Sequence, residues 1–416
     1  MKASCEMETT KAQTAFWLEP RSRLLRTIWI ALLCGGVVFV VGSYALSRPL
    51  HDFVEYWTAA HRIVAHQDPY SLVEAMKIEK ALGWEEPVPL MFACPPWALT
   101  LIAPLGVLQS YSAAWLIWLA TMSLAVCAAS WLLMQLYFRD VRIREISEND
   151  WQQCVFAFTF YPILIDLKFN QIAPLLLLGL AGFLYFQEKN RSTRAGAFLS
   201  LTLIKPQLLL LVWVALLLDY RDRREWKPLA AVAAVVSLLI SVAIVFDVHA
   251  IQHYWALVRS PYLSINPSGI VAGIRQVLGG QNTYWMQFIP PVLGLTWFAW
   301  YWRHHRANWR WSERMPTLVV ASLLASGYGW LFDQTLLAVP IIALAAHYAR
   351  KEGRLPSHFV IHYTILNVGL LLGAMMSSPW TYAPAPILLA VLLSRTTVPA
   401  ETPSMDCSIM VGRTEG

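Results

Sequence analysis

Two stretches of this chain hold ionisable side chains where an apolar residue would be cheaper. The first is HDFVEYWTAAHRIVAHQDPYS, residues 51–71. It sets Asp52, Glu55, His61 and Asp68 among aromatics, just after an apolar run of spanning length. The second is RAGAFLSLTLIKPQLLLLVWVALL, residues 194–217, with Lys205 in the middle of an apolar helix pattern. A Lys at the centre of a bilayer costs roughly 2.5–3.5 kcal/mol unless it is paired or hydrated. A buried cation at a helix break suits an anion, including a lipid phosphate reached from the bilayer side. Asp52 and Glu55 are three residues apart, so a helix would bring both carboxylates to one face.

Further polar residues recur at places where the chain should turn. Lys168, Asn170 and Gln171 lie in KFNQ, Asp333 and Gln334 in SGYGWLFDQ, and Arg259 and Arg275 between two apolar runs. Each has a plainer reading. Asp52 and Glu55 can end a span in water without chemistry, and His51, His61 and His66 suit structural roles. Lys168 can snorkel from a helix end. Asn170-Gln171 can be an ordinary turn with capping chemistry. Asp333 can pair with a cation on a neighbouring span. Lys205 is the hardest to explain this way.

The elements that must position these residues follow from composition. Of 416 residues, 57% are hydrophobic and 14% charged, against about 25% charged in soluble domains. Apolar runs of the ~20 residues that a helix needs to cross a bilayer recur along the chain. The period-2 alternation of a membrane β-barrel is absent. The expected fold is an all-α polytopic membrane protein. The net charge of +6 does not point to nucleic acid, because the basic residues cluster between apolar runs. The six cysteines are scattered without metal spacing, so no disulfide or metal site is expected. No cofactor is named by the sequence, and a role for a divalent cation stays open.

Basic clusters give the orientation. Residues 21–26, 139–144, 189–194, 221–227, 303–314 and 350–354, with the two tails, hold 24 of the 32 Lys and Arg. The positive-inside rule makes them cytoplasmic and the 51–71 stretch extracytoplasmic. The expected organisation is a cytoplasmic segment at 1–26, a membrane domain at 27–394 and a disordered cytoplasmic tail at 395–416. Within the domain, span one covers 27–47, a large first outer loop 48–110 and a second outer loop 247–284. Parity requires 95–109 to lie in the outer interface, with only 111–138 crossing. A turn at 168–171 should join a helical pair. Residues 195–218 hold about one span's worth of chain between two basic clusters, so they should form a re-entrant hairpin turning at Lys205-Pro206. Further spans are expected near 228–246, 285–302, 315–330, 334–349, 357–377 and 381–394.

These pieces resemble glycosyltransferase family 87, within the GT-C group of polytopic enzymes, and they occur in the family's order. HDFVEYWTAAHRIVAHQDPYS resembles its first-loop pattern of an acid, YW.AA and DPY. FACPPWALTLIAPLGVL resembles its YPP segment, with Cys94 where the tyrosine usually stands. KFNQIAPLLLLGLAGF resembles its GQ.n turn, with Asn170 in place of glycine and Ala173 near the usual asparagine. RAGAFLSLTLIKPQLLLLVWVALL resembles its iK..P hairpin, SINPSGIVAGIRQVLG its N.S...l.r segment, and ASGYGWLFDQTLLAVP its late yD turn.

The resemblance implies a GT-C type bundle of about 10–12 transmembrane helices. It also implies sugar transfer, mannose favoured, from a polyprenyl-phosphate donor to a glycan or lipid-glycan acceptor on the extracytoplasmic face. The enzyme would be an inverting hexosyltransferase of a bacterial inner or plasma membrane. Asp52 would be the general base, with Glu55 the second candidate. Lys205, Arg275 and Gln171 would bind the donor phosphate. Tyr56, His61, Asn170 and Asp333 would bind substrate. Two readings from other classes remain at this stage: a transporter using broken helices at the midplane, and a flippase or scaffold for lipid-linked sugars without chemistry.

Overall fold

The computed structural model describes residues 51–139, 159–262, 269–278, 281–353, 355–376 and 379–396. The expected cytoplasmic segment at 1–26, the expected span one at 27–47 and the expected tail beyond Thr396 lie outside the described residues. Every regular element among the described residues is helical. The protein is an all-α polytopic membrane protein. Among the described residues, four helices are long and apolar enough to cross a bilayer, Tyr111–Tyr137, Lys227–Phe246, Leu331–Glu352 and Ser357–Met375, and the bent pair Ser192–Ile204 and Pro206–Arg223 makes a fifth if it counts as one span. The reading of about 10–12 spans counts shorter apolar helices too, such as Ala173–Glu188.

The described chain opens with α1 (Phe53–Val64), α2 (Leu72–Leu82) and α3 (Pro96–Ile102), which tightens into a 3₁₀ turn at Ala103–Val107. Gly106 lets that turn press against α1: a Cβ there would sit 2.1 Å from the Ala60 carbonyl oxygen. Then follow α4 (Tyr111–Tyr137), α5 (Tyr161–Phe169) and α6 (Ala173–Glu188). The expected turn at 168–171 is present between α5 and α6.

The hairpin is built from α7 (Ser192–Leu199), two 3₁₀ turns flanking Lys205, and α8 (Leu210–Arg223). Its arms bend by 119° at Lys205-Pro206. Proline disfavours helical backbone at the residue before it, and Lys205 has φ −134° and ψ 71°. The chain continues through α9 (Lys227–Phe246), α10 (Ala250–Arg259), α11 (Ile270–Leu278), α12 (Ile289–His305) and α13 (Trp311–Ala325). A 3₁₀ turn at Leu331–Leu337 leads into α14 (Ala338–Glu352), followed by α15 (Ser357–Met375) and α16 (Pro384–Thr396).

Contacts sort the bundle into two ends. At one end α4 meets the α5–α6 turn, where the Trp118 indole N–H donates to the Asn170 carbonyl at 3.0 Å. At the other, Tyr137 at the far end of α4 donates to the Ser312 carbonyl at 2.9 Å. Gly196 lies against the Pro228 carbonyl, and Arg223 reaches the Trp309 carbonyl at 2.8 Å, so the 189–194, 221–227 and 303–314 clusters share that second end. Lys205 and Asp333 meet at the first end. The structure thus gathers the described basic clusters at the end opposite Asp52, Asp166 and Asp333.

Candidate functional site

Four of the residues singled out in the sequence meet through hydrogen bonds between distant segments. Asp52 stands at the N-cap of α1, where an Asp side chain normally accepts from the next backbone N–H groups. It makes no such cap bond. Instead its Oδ2 accepts from Gln171 Nε2 at 2.8 Å. Gln171 Oε1 in turn accepts from the Tyr56 hydroxyl at 2.6 Å. Only this amide orientation suits both neighbours, because the carboxylate needs a donor and the phenol an acceptor. Tyr56 is fully buried, one helical turn beyond Asp52. It braces Gln171 and offers no surface to a substrate.

Gln171 is held by an unusual backbone. Asn170 has φ 59° and ψ 43°, and the turn closes through Asn170 N–H to Leu167 O at 3.3 Å and Gln171 N–H to Asp166 O at 3.0 Å. Glycine adopts this left-handed region freely and asparagine tolerates it. The Asn-for-Gly difference at this turn therefore keeps its shape. The Asn170 side chain points away from Asp52 and donates to the Trp115 carbonyl at 2.8 Å, tying the turn to α4.

Lys205 Nζ lies 2.7 Å from Asp333 Oδ1, and Asp333 is 1% exposed. The other Asp333 oxygen accepts the Trp330 backbone N–H at 2.8 Å. The ammonium also lies 5.1 Å above the Phe332 ring. It has three N–H donors, so one strong pair leaves two for another acceptor.

Loop contacts join the pieces around this centre. The Tyr70 hydroxyl of DPY donates to the Cys94 carbonyl of CPP at 2.9 Å. The Trp97 indole N–H donates to Leu203 O at the hairpin tip, 3.1 Å away. Asp68 serves the loop, its Oδ1 accepting the Tyr70 N–H at 2.8 Å and its carbonyl the Arg62 guanidinium at 2.6 Å.

Electrostatics separate the two carboxylates of α1. Burial pushes Asp52 up to about 6, against the opposing pull of the Gln171 hydrogen bond and the Lys205 charge. Glu55 is pushed well above the usual carboxylate range, first by burial and then by the Asp52 charge. Burial likewise lifts Glu79, on α2, to about 7.

Other sequence candidates stay apart from this centre in the contacts the structure gives. His61 Nδ1–H donates to the Trp57 carbonyl of its own helix at 3.1 Å, and its ring lies 3.8 Å from the Trp57 ring, tilted by 45°. Arg275 lies on α11 beside Tyr284, 5.7 Å from that ring. One residue was missed altogether. Asp166 is fully buried in α5, its Oδ2 accepting from the Thr335 hydroxyl at 3.3 Å, among the electrostatic neighbours Lys205, Asp333 and Asp52. An acid inside the apolar run YPILIDLKF carried the same signal as Lys205. Among the described residues no three His, Cys, Asp or Glu side chains are grouped to hold a metal ion.

Residues 92–332, more than half of the chain, match the family described as Glycosyltransferase family 87. The chain belongs to glycosyltransferase family 87. It is a multi-pass membrane glycosyltransferase. No curated protein and no solved structure matches it. The family match contains Gln171, Lys205 and Arg275. It begins after Asp52 and stops one residue before Asp333. Both of those acids reach the matched region through direct contacts, to Gln171 and Lys205 respectively.

Proposed function

We propose that this family 87 glycosyltransferase moves a sugar, mannose favoured, from a polyprenyl-phosphate donor to a glycan or lipid-glycan acceptor on the extracytoplasmic face. Asp52 acts as the general base that takes the proton of the acceptor hydroxyl while that oxygen attacks the anomeric carbon. Attack opposite the leaving phosphate inverts the anomeric centre. A polyprenyl phosphate is already a good leaving group, so the protein's work is positioning and stabilising charge.

The observation that carries this reading is the Asp52–Gln171–Tyr56 chain. It frees an N-cap carboxylate from its usual backbone bonds and aims it from a second helix pair. A base is most effective when its proton affinity lies near the working pH, and Asp52 at about 6 meets that condition. Glu55, raised by burial and then by the Asp52 charge itself, is the second candidate. Lys205 docks the donor phosphate with the N–H groups that Asp333 leaves over, and Asp333 holds the ammonium in place. Gln171 orients Asp52 rather than binding phosphate, since one amide N–H and its carbonyl are already engaged.

The test uses membranes containing the full chain and a radiolabelled polyprenyl-phosphate mannose. Asp52→Asn should abolish label transfer while donor binding persists. Transfer at near wild-type rate would remove the general-base role. Donor flipping by a protein that transfers no label would instead support a flippase.

A further inference from the structure

The end of the bundle opposite Asp52 carries surface cavities of contrasting charge. One, of about 600 Å³, is lined by both signs. Its Arg223 pairs with Asp219 at 2.7 Å and its Arg310 with Glu313 at 2.9 Å. A second, of about 340 Å³, is lined by Arg191, Ser192, Thr193, Arg194 and Lys227. A third, of about 600 Å³, shares Asn190 and Arg191 with it and adds Arg139, Lys189 and Glu188. Across these last two, five cations face Glu188, and Glu225 lies at the rim, accepting the Ser192 hydroxyl. Among the described residues none of the five cations makes an ion pair; Lys189 donates to the Tyr185 hydroxyl, and Arg194 lies 5.9 Å from the Phe186 ring.

The smaller cavity also holds the start of α7. The N–H groups of Ser192, Thr193 and Arg194 have no partner inside that helix, because its first bond is Ala195 N–H to Arg191 O at 3.0 Å. Arginines, a lysine, a hydroxyl and helix N–H groups around one hollow suit a phosphate ester. Lys227 starts α9, an apolar helix whose spanning window is only 17% buried, with Leu238 and Val245 exposed along it. A headgroup in the cavity would have its acyl chains alongside that face.

We propose that this cavity binds the phosphate headgroup of an anionic phospholipid from the leaflet at that end of the bundle, gripped between α7 and α9 by Arg191, Arg194 and Lys227. The bound headgroup clamps α7, the arm that carries Lys205, onto α9 at the close Gly196–Pro228 contact.

Native mass spectrometry of the purified full chain, with phosphatidylglycerol or phosphatidylcholine added, tests this. Wild type should retain phosphatidylglycerol in preference, and its thermal transition should rise with that lipid. The R191Q/R194Q/K227Q variant should lose the preference, by about fivefold for each neutralised residue. The charge-keeping R191K/R194K variant should retain most of it, as should R306Q/R310Q at the mixed-charge cavity. Equal retention of the two lipids by wild type overturns the proposal, whatever the variants do. An equal loss in R306Q/R310Q overturns it in favour of general surface charge. Inorganic phosphate that raises the transition as far as phosphatidylglycerol does overturns the lipid source.

Discussion

The two ends of this bundle use charge in opposite ways. At the first end three ionisable groups held within the fold meet partners from distant segments: Asp52 with Gln171, Lys205 with Asp333, Asp166 with Thr335. At the second end they are many and mostly exposed, and several have no protein partner at all. The difference teaches that charge density does not mark the reactive region. A dense basic end is what the positive-inside rule expects of a cytoplasmic face. The sparse end holds charges where each one costs folding free energy. Groups kept at such a cost are the ones to test first.

The largest expected break in this contrast is Asp52→Asn. Loss of a general base lowers turnover by roughly 10²–10⁴-fold, so label transfer should fall by that much with the protein still folded. Exposed cations of the second end replaced in parallel should leave transfer near wild type. Next comes the Lys205–Asp333 pair. Removing one partner of a buried pair destabilises by roughly 3–5 kcal/mol, because the other charge is left uncompensated. Asp333→Ala should therefore lower the thermal transition strongly. The double change Lys205→Met with Asp333→Asn should recover much of that stability without recovering donor binding. Equal transitions for the single and double variants would mean that the pair does not hold the hairpin tip.

Gln171→Ala sharpens the picture through pH. The carboxylate is the active form of Asp52, so transfer should fall as pH drops through about 6. Gln171 holds that value down, so its loss should move the acid limb to higher pH, and Gln171→Glu should move it further. A limb that stays in place in Gln171→Ala would leave the glutamine only a packing role.

Glu79 gives a smaller effect of the same origin. Burial raises its carboxyl from the ordinary value of 4.5 to about 7, so the folded chain holds this proton more tightly than the unfolded chain does. Its contribution to stability is complete below about 4.5 and is lost as pH rises through about 7. Thermal transitions of the wild type should drop by a few degrees between those limits, on the order of 1 kcal/mol per unit of displacement, and Glu79→Gln should flatten the profile. The smallest effect belongs to the second end. Arg303→Gln should change stability by no more than about 0.5 kcal/mol, as exposed substitutions generally do.

Much of this was legible in the residues. Long apolar runs dictate helices, because lipid leaves backbone polar groups no other partner. Proline after Lys205 predicts the break in the hairpin, and the spacing of basic clusters predicts which turns share an end. Six short patterns in a fixed order carried the family before any geometry was known. Asp166 was equally legible and was passed over, because it stands beside the more conspicuous Lys168.

Partnerships were not legible, since they join residues 55 to 128 positions apart. Nothing near Asp52 indicates that its carboxylate forgoes capping for an amide on another helix pair. Nothing in KFNQ tells that Gln171 faces Asp52 while Asn170 turns back toward Trp115. Nothing in IKP tells that the lysine arrives already paired with Asp333. Sequence alone determined that this chain is a helical membrane protein of family 87, with costly charges at a few turns, because transfer free energy and backbone geometry act locally. Only the tertiary structure decided which charges meet, because that depends on packing between helices that are distant in the chain.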